Sequence, residues 1–210
     1  EWSGNFGWQY TDRNLMTLEE MEKLWKDNYG FTRSEINKLF LNEMDASLRI
    51  LEVGSNIGNQ LACLQKSGFK KLYGMDVQFY AADLIKKRLN DTEVVQGSAL
   101  ELPFKARQFD VVFTSGLLIH IAPDNIYGVL DEIYRCSARF IWGAEYYSDT
   151  YVEVEYRGKK GLMWKGDFSR MFLARFKDLR LVKEVHMKYL QNDNIDAMYL
   201  LEKDDEKEKE

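Results

Sequence analysis

Leu51-Glu52-Val53-Gly54-Ser55-Asn56-Ile57-Gly58-Asn59-Gln60 is the stretch that decides the fold. A short apolar run, Leu48 to Val53, ends at a glycine bend and hands over to a helix, Gln60 to Ser67, which Gly68 stops; this is a strand, turn and helix in succession. Gly54 and Gly58 allow backbone to approach a ligand where a Cβ would clash, and the helix behind them offers unpaired N–H groups at a positive end. Asp76 closes the next strand, Lys71 to Asp76, 22 residues after Gly54. A carboxylate there sits at the crevice edge and can accept the hydroxyls of a ribose. Strand, glycines, acid and spacing together point to an adenosine-containing ligand. A Walker-type phosphate loop is excluded, because Gly58 is followed by Asn59 and Gln60 where Lys and Ser or Thr are required. A nicotinamide fingerprint, G-x-G-x-x-G, fits poorly, since Asn56 holds the place of its second glycine. The Tyr156 and Lys160 pair is no remedy, because Gly158 interrupts the helix that such a pair must share.

Outward from this unit the same alternation continues. Asp83 to Leu89 lies in a helix, Glu93 to Gln96 and Phe109 to Thr114 are strands, and Pro123-Asp124 introduces a helix with Ile126, Val129, Leu130, Ile133 and Tyr134 on one face. Arg139 to Gly143 returns as a fifth strand. Beyond Glu145 the run Tyr151 to Tyr156 alternates strictly and turns at Arg157 to Gly161, which predicts a hairpin. Asp167 caps a short helix bearing Met171, Phe172 and Phe176, and two late strands follow, Leu179 to Tyr189 and Ile195 to Glu202. Upstream, Thr17 with Glu20 and Thr32 with Glu35 are capping boxes that open two helices, the first stopped by Gly30 and the second ended by Asp45-Ala46-Ser47. Trp2 to Tyr10 mixes aromatics and glycines without a period and reads as an ordered arm laid over something. The fold class is α/β: a doubly wound, Rossmann-like, mostly parallel sheet ending in an antiparallel strand, with a helical cap and a hairpin insertion. One domain spans 1–203, with an arm and cap over 1–47, a ligand-binding core over 48–145 and a substrate-side insertion with the last strands over 146–203. Residues 204–210 are a charged tail, and the run from Lys203 onward is expected to fray.

Composition narrows the function classes. Hydrophobic residues at 45%, charged residues at 30% and two prolines describe an ordinary globular protein of 210 residues. A net charge of −5 argues against a nucleic-acid backbone as the main partner. Two cysteines, Cys63 and Cys136, make no disulfide framework and suit a reducing, cytoplasmic compartment. With two histidines and no ligand spacing, no metal site is expected. No run is long and apolar enough to span a membrane, and no export signal is visible, although the chain begins without Met and residues upstream of Glu1 are not excluded.

The run Glu52-x-Gly54-x-Asn56-x-Gly58, Asp76, Gly97-Ser98-Ala99-Leu100-Glu101-Leu102-Pro103-Phe104, and Phe109 to His120 resembles the class I S-adenosylmethionine-dependent methyltransferases over about Leu48 to Tyr146. More narrowly, Trp2-x-Gly4-x-Phe6-Gly7-x-x-Tyr10-x-x-Arg13-Asn14, Glu145-Tyr146, Tyr156-Arg157-Gly158 and Trp164 to Phe168 resemble the methylases found alongside pseudaminic acid biosynthesis. The resemblance implies the class I methyltransferase fold with its seven-stranded sheet, and S-adenosylmethionine as cofactor. Glu52, Gly54 and Gly58 would then border the methionine part, Asp76 would hold the ribose, Ser98 and Ala99 would meet the adenine, and Ser115 would line the path to the methyl group. The family often has glycine where Asn56 stands, a mild change because Asn tolerates left-handed backbone, and aspartate where Ser98 stands. The implied activity is methyl transfer to an oxygen or nitrogen of a small molecule, with a sugar or sugar-derived metabolite as the narrower reading.

Methyl transfer is an in-line displacement, so the protein supplies alignment, dry surroundings and a sink for a proton. His120, just after the fourth strand, is a candidate base; the alternative is a residue that caps or packs before Pro123. Glu145 ends the fifth strand on the binding side and is a candidate for orienting the acceptor, or else binds water beside Tyr146 and Tyr147. Tyr10 and Arg13 could close over the cofactor, with Arg13 gripping its carboxylate. Arg157, Lys159, Lys160 and Lys165 read as a solvated turn, with reception of an anionic sugar or a nucleotide diphosphate as the alternative, and His186 as a solvated strand residue. Two further readings stay open: a subunit that binds S-adenosylmethionine without turning it over, and an NAD-dependent oxidoreductase.

Overall fold

The computed structural model describes residues 1–204. A 7-stranded sheet in the order β3-β2-β1-β4-β5-β9-β8 forms its centre. These strands are β1 (Arg49–Val53), β2 (Lys71–Asp76), β3 (Thr92–Gln96), β4 (Phe109–Ser115), β5 (Ser137–Tyr146), β8 (Leu179–Lys188) and β9 (Ile195–Lys203). The five strands from β3 to β5 run parallel, and β9 is antiparallel to both of its neighbours. The antiparallel strand is therefore one place in from the edge, and β8 at the edge again runs with the core. Strand order reverses between β1 and β4, the switch point where doubly wound sheets bind their ligands.

The sheet is covered on both faces, which is why its central strands are continuous apolar runs. Leu51, Val53, Val112, Ile141, Tyr199 and Leu201 point to one layer with α6 (Pro123–Cys136) and α7 (Phe168–Arg175). Ile50, Leu72, Val111, Phe113, Trp142 and Leu200 point to the other, with α4 (Asn59–Lys66) and the cap helices α2 (Leu18–Tyr29) and α3 (Arg33–Leu41). A helix α5 (Phe79–Arg88) covers β2 and β3. Both capping boxes form as the letters require, and Gly30 ends α2 in the left-handed region at φ 84°. Asp167 accepts the Arg170 N–H at the start of α7, as expected of a cap.

Three local expectations are refined or corrected. The N-terminal arm, ordered as expected, is a helix, α1 (Asn5–Arg13), although its letters show no period. Its buried positions are Gly7 and Thr11, one turn apart, so the face it packs with carries no apolar stripe to be read. The hairpin forms, but β6 (Val152–Glu153) and β7 (Trp164–Lys165) pair over two residues each, with a tight turn where Tyr156 and Lys159 pair. The chain around them is drawn inward instead: the Tyr151 hydroxyl donates to the Ile121 carbonyl at 2.6 Å, and Leu162, Met163 and Trp164 are buried. Lys203 does not fray; it ends β9, buried, with its ammonium donating to the carbonyls of Tyr134 and Ser137 at the C-terminus of α6. Residues 205–210, the rest of the expected charged tail, lie outside the described residues.

Candidate functional site

The bend after β1 is built from three left-handed residues: Gly54 at φ 75°, Asn56 at 44° and Gly58 at 76°. Only glycine takes this backbone without strain, and Asn is the next most tolerant. A Cβ on Gly54 would stand 2.7 Å from Leu117 Cδ1, while one on Gly58 would meet Leu89 and Ile85. The glycines are thus required by the bend and by the packing beneath it, more than by space for a ligand. The bend is fixed from behind by Asp76. Its Oδ2 accepts the Asn56 N–H and its Oδ1 the Gln78 N–H, each at 2.8 Å. Burial pushes the Asp76 carboxyl above its usual range, and these backbone donors oppose the shift. The carboxylate keeps acceptor capacity for a ribose hydroxyl.

A cavity of about 650 Å³ lies over this bend, at the C-terminal ends of β1, β2 and β4. Glu52, Gly54, Asn56, Asp76, Ser98, Ala99 and Ser115 all line it, so the expected cofactor residues are brought together. Gly58 sits just behind, as the residue before α4, whose first N–H groups have no side-chain cap. The N-terminal arm forms the opposite wall through Trp2, Gly7 and Tyr10. Gln78 pins it there by donating its amide to the carbonyls of Trp2 and Gly4. Arg13 is elsewhere: it is exposed, outside the cavity wall, with its guanidinium 6.0 Å from the centre of the Tyr10 ring. A different arginine stands on the cavity wall.

That residue is Arg33, at the first position of α3, buried to 3% exposure on the cavity wall. Its Nε donates to Asn37 Oδ1 at 3.1 Å, and the guanidinium lies 4.4 Å from the centre of the Trp25 ring. Among the described residues its Nη2 has no hydrogen-bond partner. Burial lowers its pKa, against the fields of Cys63, Glu52, Tyr29 and Asp196. Nearby, Glu52 Oε2 and Gln60 Oε1 are likewise buried and unpartnered. Burial raises the Glu52 carboxyl well above the usual carboxylate range, with Arg33 acting in the opposite direction. A buried cation, a carboxylate oxygen and an amide oxygen, all unsatisfied, form a receptor for a group carrying both a carboxylate and an ammonium. That is the amino-acid end of S-adenosylmethionine, so the residues present fit that cofactor. The one sequence signal for Arg33 was its place directly after the Thr32 cap, where a cation opposes the helix dipole and needs another reason to be there.

The two candidate proton-handling residues are differently placed. His120 lines the cavity in a short 3-10 turn, Leu118–His120, 4.2 Å between ring centres from Trp2 and 5.6 Å from Tyr156. Its Nδ1 lies 2.8 Å from the Leu162 carbonyl, which can only accept; Nδ1 therefore carries the proton and Nε2 the lone pair. Burial pushes its pKa down to about 4, so the ring is neutral at pH 7. Glu145 is buried beneath the same turn, accepting the Leu117 N–H at 3.2 Å and the Ile119 N–H at 3.4 Å. It lines a smaller pocket of about 160 Å³ that shares Tyr10, Trp25, Arg33, Ser115 and Gly116 with the main cavity. Burial raises its pKa to about 7, opposed by hydrogen bonds from Thr114 and the turn. His186 is exposed beside Glu184, and among the described residues no cluster suited to a metal ion occurs.

Residues 51–139 match the methyltransferase domain family. No curated protein sequence is found to match the chain. Among solved structures, a magnesium protoporphyrin IX methyltransferase from Synechocystis with bound S-adenosylhomocysteine superposes with a TM-score of 0.69 at 10% identity, covering 96% of each chain. A 1,6-didemethyltoxoflavin-N1-methyltransferase from Burkholderia thailandensis, with its substrate and S-adenosylhomocysteine bound, gives 0.67 at 17% identity, over 95% of this chain and 89% of that one. A protein from Pyrococcus horikoshii gives 0.66 at 14% identity, over 93% and 95%. Residues 51–139 are therefore similar to a methyltransferase domain, and the fold built around them is the one these solved methyltransferases share.

Proposed function

We propose that the chain transfers a methyl group from S-adenosylmethionine to an oxygen or nitrogen of a small molecule, with a sugar or sugar-derived metabolite as acceptor. The observation that carries this is the set of unsatisfied atoms around the glycine bend, Arg33 Nη2, Glu52 Oε2 and Gln60 Oε1, next to Asp76. When bound, the cofactor supplies an electrophilic methyl on a positively charged sulfur. The chain's own part is to hold both ends of that molecule, exclude water and dispose of the acceptor's proton. Asp76 would hold the ribose, Ser98 and Ala99 the adenine, and Arg33, Glu52 and Gln60 the amino-acid end. Tyr10, on the arm, closes the site over them. The sugar reading rests on the resemblance of the arm and insertion segments to the pseudaminic acid-associated methylases. A cytoplasmic setting agrees with two free, buried cysteines.

The test is mass spectrometry of a cell extract incubated with the protein and methyl-labelled S-adenosylmethionine. A labelled ether or amine among the small molecules is the expected result. Binding without any labelled product would instead make the chain a subunit that holds the cofactor and turns nothing over.

His120 and Glu145 act in this reading by positioning. Glu145 holds the Leu117–His120 turn, and His120 ties that turn to the insertion at Leu162 and to the arm at Trp2. A ring with a pKa of about 4 is a poor sink for a proton from a hydroxyl or an ammonium. His120→Ala is expected to lower turnover about tenfold, mostly through a higher KM for the cofactor, with no loss of a titrating limb near pH 6.5. A change confined to kcat, with such a limb abolished, would restore His120 as the base.

A further inference from the structure

The residues expected to take the acceptor's proton are committed to other tasks, which leaves one carboxylate near the site without an assigned role. Asp196, the second residue of β9, is buried at 9% exposure and lines the smaller pocket together with Glu145 and Tyr146. It stands opposite Tyr146 across the β5 and β9 pair. Its Oδ2 accepts the Tyr29 hydroxyl at 2.6 Å and the Tyr189 hydroxyl at 3.4 Å. Its Oδ1 is buried and, among the described residues, without a partner. A carboxylate anchored by one oxygen, with the other left unsatisfied on a pocket wall, is poised to accept a hydrogen bond from something that enters.

We propose that Asp196 is the base for an acceptor hydroxyl, and that the pocket opening off the cofactor cavity at Ser115 and Gly116 is where the reacting end of the acceptor sits. This rests on the methyltransferase reading above. The pocket's volume, about 160 Å³, equals roughly five waters' share of liquid, enough for a single small ring. Trp25, Tyr10 and Tyr146 offer it aromatic faces, which suit the C–H faces of a polyhydroxylated ring. Hydroxyl is preferred to ammonium because the charged groups acting on Asp196 include two cations. Arg33 lines the same pocket, and the Lys165 ammonium, which donates to Asn194, lies 5.6 Å from the centre of the Tyr146 ring. A protonated amine would meet both; a neutral hydroxyl meets neither penalty. Burial raises the Asp196 pKa to about 7, against the hydrogen bonds of Tyr29 and Tyr189 and the fields of Arg33 and Lys165. The carboxylate is therefore ionised above neutrality and still basic enough to take a proton. In the step itself the acceptor's O–H bond breaks with its proton passing to Asp196 Oδ1, the oxygen forms the new bond to the methyl carbon, and the sulfur keeps the electron pair of the broken C–S bond.

The experiment uses the full chain, methyl-labelled S-adenosylmethionine, and a panel of free and nucleotide-linked monosaccharides as acceptors. Label is expected in a methyl ether, with kcat rising through about pH 7 to a plateau. Asp196→Asn should lower turnover about 100-fold and remove that limb, while calorimetric affinity for S-adenosylhomocysteine stays within about twofold. Tyr189→Phe leaves the carboxylate in place but removes a bond to its charged form, so the limb should move to higher pH with the plateau nearly kept. Label on nitrogen, or Asp196→Asn turnover within threefold of the parent, overturns the assignment and leaves methyl transfer standing. Tight binding of S-adenosylhomocysteine with no labelled member of the panel overturns the hydroxylated-ring acceptor. Failure to bind S-adenosylhomocysteine overturns the reading beneath both.

Discussion

Arg33→Met is expected to lower affinity for S-adenosylhomocysteine about 100-fold while leaving affinity for 5′-methylthioadenosine unchanged. The two ligands share the nucleoside and the sulfur and differ in the amino-acid end. In the free protein the guanidinium is buried, held by Asn37 and the Trp25 ring, and among the described residues one of its nitrogens is unsatisfied and no carboxylate lies within ion-pair distance. A ligand carboxylate arriving there relieves an uncompensated charge as well as making a contact, and truncating such a pair costs about 2–5 kcal/mol. A 100-fold loss is about 2.7 kcal/mol, inside that range. Stability should behave differently. Methionine fills much of the arginine's aliphatic volume and removes the buried charge, while the stacking on Trp25 is lost, so the unliganded variant should unfold within about 1 kcal/mol of the parent. Calorimetry with both ligands and thermal unfolding without ligand make the check. Equal losses for the two ligands would show that Arg33 merely shapes the cap.

Arg33 also marks where reading the sequence stops. The glycine bend and Asp76 were legible because all their parts lie within one strand, turn, helix and strand unit, where spacing along the chain is spacing in the crevice. The left-handed backbone at Asn56 was legible for the same reason, since a tolerant residue stood where glycine is common. Arg33 and Asp196 lie 163 positions apart and meet at one pocket only because α3 packs on the sheet face beside the start of β9. No local pattern encodes that. Arg13 has the charge to grip a carboxylate, yet α1 turns its side chain outward and uses Gly7 and Thr11 as its inner face. Gly7 is small because the chain comes so close there: a Cβ would collide with Gln78 Nε2 and with the Trp2 carbonyl. His120 and Glu145 were placed correctly at the carboxyl edge of the sheet. Their partners, Leu162 and the backbone of the Leu117–Ile119 turn, were not visible, and those partners change what the two side chains can do.

Asp76→Ala should fail in a different way, losing affinity for S-adenosylhomocysteine and for 5′-methylthioadenosine alike, each by about 100-fold. Two effects combine. The ribose loses a charged acceptor, worth about 1.5–3 kcal/mol, and the Asn56 and Gln78 N–H groups lose the carboxylate that satisfied them. The second effect loosens the bend at its most demanding residue, since Asn56 at φ 44° is held there by that bond. It also reaches the arm, because Gln78 opens α5 and its side chain pins Trp2 and Gly4. Limited proteolysis should therefore cut within residues 1–14 sooner in Asp76→Ala than in the parent, and no sooner in Arg33→Met. Asp76→Asn keeps one acceptor oxygen while turning an NH2 toward a backbone donor, so it should fall between parent and alanine. Acidification should act on the parent in the same direction: burial raises the Asp76 pKa, so the carboxylate is protonated at a higher pH than an exposed aspartate and ribose affinity falls earlier as pH drops. Two variants against two ligands thus separate the site into halves. If Asp76→Ala weakened only the ligand with an amino-acid end, the carboxylate would be a brace for the bend around Glu52 and not the holder of the ribose.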